Sequence, residues 1–72
     1  MTATNERFYY SESFPDTESD IVVIAALFAH VATWESSNPQ YALQTTTIQY
    51  DIVRAPFRGG PYGEIIWYAE LR

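Results

Sequence analysis

Fourteen residues from Ile21 to Trp34 form one apolar run, IVVIAALFAHVATW, which restricts the possible folds more than any other feature. The run is long, rich in alanine and does not alternate, so it is not a strand. It is shorter than the roughly twenty residues that cross a bilayer. Pro15 breaks the chain before it, and Asn38-Pro39 ends it because the residue before proline disfavours the α region. The pattern predicts a helix from about Thr17 to Ser36. Thr17 with Asp20 resembles a capping box, and Asp16, Glu18 and Asp20 complement the positive end of the helix dipole. On a wheel of about 100° per residue, Ile21, Val23, Ile24, Leu27, Phe28, Val31 and Trp34 make a broad stripe. Ala25, Ala26, Ala29 and Thr33 lie opposite, with Val22 the one larger apolar residue among them.

The flanking segments follow another period. Arg7-Phe8-Tyr9-Tyr10-Ser11 reads as a short strand by its aromatic content. From Thr46, alternate positions carry Thr46, Ile48, Tyr50 and Ile52, interleaved with Thr45, Thr47, Gln49, Asp51 and Val53, which predicts a half-buried strand limited by Pro56. Phe57 to Gly63 is dense in turn residues. Glu64 to Leu71 returns as a strand, with Ile65, Trp67, Ala69 and Leu71 on one face and Glu64, Ile66, Tyr68 and Glu70 on the other. The order β–α–β–β predicts an α+β domain. A hairpin makes the last two strands antiparallel, and a single crossover makes the first parallel to the second. The third strand in the centre then makes every pair antiparallel, giving spatial order 2-3-1. The helix covers one face. The other face carries Thr45, Thr47, Gln49, Asp51, Val53, Glu64, Ile66, Tyr68 and Glu70, with either Tyr9 or the pair Phe8 and Tyr10, and part of its aromatic and aliphatic surface stays open or meets a partner.

Seventy-two residues make one domain, spanning 1–72, with a thin core. Cysteine is absent, which excludes disulfides and thiolate metal sites. The single histidine, His30, makes no zinc site without several converging carboxylates. Four Phe, six Tyr and two Trp supply the large side chains through which so short a chain could build a core. Oligomerisation is the other route. No cofactor is expected.

Nine acids face four bases, all arginine, for a net charge of −5. Glu6, Glu12, Asp16, Glu18, Asp20 and Glu35 are offset only by Arg7, so the excess lies before residue 36. Such a field repels nucleic acid and anionic membranes and steers a basic partner inward. The expected partner is a basic protein or ribonucleoprotein, with no direct nucleic-acid or membrane contact. The start lacks the basic segment of a secretory signal, so the expected location is cytoplasmic.

Asp16-x-Glu18-x-Asp20 opens like a calcium loop, but Ile21 stands where glycine is needed and Leu27 where a bidentate glutamate is needed. Helix capping accounts for these acids without a metal. Gly59-Gly60-Pro61-Tyr62-Gly63 is no phosphate loop, because no Gly-Lys-Ser/Thr follows and a strand comes next. It reads as a hairpin turn. Its tip nevertheless groups Phe57, Arg58 and Tyr62, of the aromatic and arginine types enriched at binding hot spots. His30 has no recognisable nucleophile arrangement, so no enzyme is expected. Ala25, Ala29 and Thr33 either admit a second helix closely or are simply good helix formers on an exposed face.

Short length, acidity, absence of cysteine and a compact α/β layout together resemble the small inhibitor proteins of bacteriophages, such as anti-CRISPR proteins and DNA mimics. The likeness rests on the acids from Glu6 to Glu35 and the tip from Phe57 to Tyr62. It implies a host defence complex as target, with its basic nucleic-acid-binding surface blocked. The residues expected at that contact are Glu6, Glu12, Asp16, Glu18, Asp20, Phe57, Arg58, Tyr62 and Tyr68. The competing expectation is a structural or assembly module that acts through homo-oligomerisation, by the alanine face or the open sheet.

Overall fold

The structure is a computed structural model and describes residues 5–54 and 60–72. Three strands and one helix follow the order β1 (Asn5–Ser13), α1 (Asp20–Ser37), β2 (Tyr41–Val53) and β3 (Tyr62–Leu71). The sheet order is β1-β3-β2 with both pairings antiparallel, as the parity argument required. The fold is α+β, and β1 and β2 each keep one free edge.

Alternation in β3 decides which way the sheet faces. Ile65, Trp67 and Ala69 are buried, and pack with Val23, Leu27 and Val31 of the helix. Phe8 and Tyr10 of β1 join this side, leaving Tyr9 on the open face. Leu71 belongs to the core-facing row by parity but is exposed. Phe8, Trp34, Tyr41 and Trp67 form an aromatic cluster under the last turns of α1. Its Phe8–Trp34 and Trp34–Trp67 centroids are 4.6 and 5.5 Å apart. Tilted and T-shaped rings of this kind are favourable pairings beyond their area burial.

Gly63 sets the depth of the helix on the sheet. A Cβ there would lie 2.7 Å from Val23 Cγ1 and 3.0 Å from Leu27 Cδ1, so the helix seats where β3 has no side chain.

Three expectations need correction. The helix begins at Asp20, not Thr17: Ser19 is the N-cap, and its Oγ accepts from the Val22 N–H at 3.4 Å. Asn38 closes the far end, donating Nδ2 to the Trp34 carbonyl at 2.7 Å. The buried stripe is narrower than the wheel implied. Ile21 is 80% exposed and Phe28 38%, the latter resting edge-on against Tyr50. The alternation in β2 is interrupted as well, because the register shifts between Gln44 and Gln49. Thr47 then spans the irregularity, its hydroxyl donating to the Gln44 carbonyl (2.6 Å) and accepting from the Tyr68 N–H (3.1 Å).

Candidate functional site

Strand register separates the acids into two groups. Glu12, at the end of β1, pairs with Gly63, which lies beneath the first turns of the helix. Asp16, Glu18 and Asp20 follow on the approach to that helix. Asp51 and Glu64 reach the same end from β2 and β3. Glu6 does not. It pairs with Ala69, six residues back along β1 from Glu12, which is roughly 20 Å of extended chain. That exceeds the screening length of about 8 Å at physiological salt. The acidic end is thus built from both halves of the chain, and the division at residue 36 does not describe it.

Most of these carboxylates already accept a hydrogen bond within the chain. Glu12 accepts from the Tyr10 hydroxyl at 2.7 Å, and Glu6 accepts from Tyr41. Both phenols are half-buried, and their pKa values lie above the ordinary 10.0. The hydrogen bond to the carboxylate is the main cause, then desolvation, then the nearby negative charge. Asp20 forms an exposed ion pair with Arg54, which also donates to the Glu18 carbonyl at 3.0 Å. One arginine of the second half thereby neutralises part of the expected contact surface.

Asp51 and Glu64 form a different arrangement. They stand directly opposite each other on neighbouring strands, on the same open face. Like charges in that relation repel. Glu64 accepts from the Tyr9 hydroxyl at 3.0 Å and Asp51 from the Ile52 N–H at 2.9 Å, but neither has an arginine partner among the described residues. Both help to line a shallow depression of about 210 Å³, together with Gln49, Tyr50 and Ile66. It is smaller than the roughly 300–1,000 Å³ of ordinary small-molecule pockets, and has the size and charge to receive one cationic side chain. Alternation places both on the open face, but the expected contact set leaves them out, because their direct opposition follows from strand register.

Of the remaining expected contact residues, Tyr62 and Tyr68 lie on the open face of β3. Phe57 and Arg58 lie outside the described residues. The His30 ring stacks on Tyr10 with centroids 3.5 Å apart, and the hydroxyl of that Tyr10 donates to Glu12. Among the described residues, no group of three or more His, Asp or Glu could hold a metal ion. The calcium-like spacing of Asp16, Glu18 and Asp20 produces no such cage.

No protein-family model, curated protein sequence or solved structure matches this chain.

Proposed function

We propose that this chain is a non-catalytic contact protein of the phage-inhibitor type, which docks its acidic end on a basic, nucleic-acid-binding surface of a host complex. The observation that supports this reading is the placement of six acids at one end, Glu12, Asp16, Glu18 and Asp20 on the helix side and Asp51 and Glu64 on the open face of the sheet. Arg54 is the one base among the described residues there. A field of that sign raises the encounter rate with a basic surface and falls off with salt. The opposed carboxylates of Asp51 and Glu64 add a specific element. Their mutual repulsion is relieved when an arginine or lysine of the partner enters the depression that both help to line.

The test is capture from host lysate at low and high salt, with nucleic acid as competitor. A nucleic-acid-binding protein should be retained at low salt, released at high salt and displaced by added DNA. The variant Asp16→Asn/Glu18→Gln/Asp20→Asn and the variant Asp51→Asn/Glu64→Gln should each retain less of it. Capture that is indifferent to both salt and these substitutions would sink the reading.

A further inference from the structure

Trp67 holds the one buried side-chain donor that lacks an acceptor among the described residues. Its Nε1–H is unpartnered, and the residue is only 2% exposed. An indole nitrogen can donate but not accept, and an orphan of this kind calls for an explanation. The rings around it supply one. Trp34 lies 5.5 Å from Trp67 between centroids, and Tyr41 lies 5.6 Å from Trp34. On the other side His30 stands 6.0 Å from Trp67 and stacks on Tyr10. Both routes end at a phenol that donates to a carboxylate, Tyr41 to Glu6 and Tyr10 to Glu12.

We propose that these rings conduct one-electron oxidation out of the core, from Trp67 to Tyr41 and Tyr10. The oxidant is a diffusing radical strong enough to take an electron from indole. The chain offers such a radical little else, since it has no cysteine and Met1 is its only methionine. Those sulfur side chains are the common oxidation targets.

Proton acceptors decide where the hole comes to rest. An oxidised indole is a radical cation. At Trp67 that is an unpaired charge in an apolar core, which is costly. Its N–H also has no base to which it could release a proton. The hole therefore moves on. An electron from Trp34 restores Trp67, and an electron from Tyr41 restores Trp34. As Tyr41 gives up its electron, its phenolic proton passes to Glu6 Oε2. The products are a neutral tyrosyl radical and a neutral carboxylic acid, so no cation is left in the core. Tyr10 and Glu12 do the same on the other route, where the His30 ring bridges the gap and is not itself oxidised. Because the proton waits on the glutamate, one electron from a donor at the surface restores the phenol. Tyr9 also donates to a carboxylate, Glu64, but stands on the open face, across the sheet from these rings. It serves as the control.

The test is pulse radiolysis of the full chain at neutral pH with the azidyl radical, which oxidises indole ahead of neutral phenol. Indolyl absorption should decay as tyrosyl absorption grows, at a rate independent of protein concentration. The rate should be lower in heavy water, because a proton moves with the electron. Tyr10→Phe/Tyr41→Phe keeps the rings and should remove most of the tyrosyl signal, whereas Tyr9→Phe should leave it intact. Glu6→Gln/Glu12→Gln keeps an oxygen acceptor for each phenol but removes the base. It should slow the transfer several-fold with an unchanged circular dichroism spectrum. A rate that scales with protein concentration would overturn the proposal. So would equal rates in ordinary and heavy water, a tyrosyl yield untouched by Tyr10→Phe/Tyr41→Phe, or native speed in Glu6→Gln/Glu12→Gln.

Discussion

Tyr68 donates its backbone N–H to the side-chain hydroxyl of Thr47, 3.1 Å away, instead of to a strand carbonyl. The hydroxyl in turn donates to the Gln44 carbonyl at 2.6 Å, so one side chain fills the gap that the irregularity opens between β2 and β3. Thr47→Val keeps the shape and removes both bonds. The expected loss is about 1–3 kcal/mol, the penalty for a poorly solvated donor left without an acceptor. Thr47→Ser should recover most of it. Urea denaturation of the three proteins checks this, and equal midpoints for Val and Thr would show that the hydroxyl does not bridge the strands.

Gly63→Ala places a methyl group against Val23 and Leu27, both fully buried. Overpacking of this kind costs about 1–3 kcal/mol. Leu27→Ala errs in the other direction by opening a cavity, at about 2–5 kcal/mol. Both should lower the urea midpoint with little change in slope. A neutral Gly63→Ala would mean that the helix sits farther from the sheet.

Stability should fall on the alkaline side. The Tyr10 and Tyr41 phenols have folded pKa values above 10.0, so the folded state holds their protons more tightly than the unfolded chain does. Their contribution is complete below about pH 10 and is lost as pH rises through the folded values. Tyr10→Phe/Tyr41→Phe should flatten that decline. Thermal melts from neutral to alkaline pH measure it; an identical decline in the double variant would assign the pH dependence to other groups.

Arg54→Ala should change stability by less than about 1 kcal/mol, because both partners of its ion pair are well exposed, at 42% and 62%. The difference should vanish at high salt. The same substitution removes a positive charge from the acidic end, so capture of a basic partner should increase. Reduced capture would place Arg54 in the contact itself.

The sheet was legible because parity and period suffice for it. Ile65, Trp67 and Ala69 alternate without interruption, and three strands joined by one crossover and one hairpin have an all-antiparallel solution with β3 in the centre. Helix burial was less legible. Three strands place the outer two only about 10 Å apart, no wider than the helix itself. The sheet therefore hides the row Val23, Leu27 and Val31 and leaves Ile21 in solvent. Helix start was ambiguous because Thr17 and Ser19 are both capping types. The irregularity in β2 was invisible because Thr45-Thr46-Thr47 suits a regular strand and contains no glycine. At the candidate site, Asp16, Glu18 and Asp20 were readable as neighbours in sequence. Asp51 and Glu64 were readable as residues of one sheet face, but that they stand directly opposite each other depends on strand register, which alternation does not supply.

The irregularity between Gln44 and Gln49 has a further consequence. A three-stranded sheet with two bare rims invites other chains to add strands indefinitely. On the β1 rim, Glu6, Arg7 and Glu12 bring charge to any incoming strand. The β2 rim has only Asp51 for that purpose, but its row of backbone donors and acceptors loses its regular spacing at the threonines. An incoming strand that keeps a regular register would lose its match there, so the irregularity blunts the rim that carries the least charge.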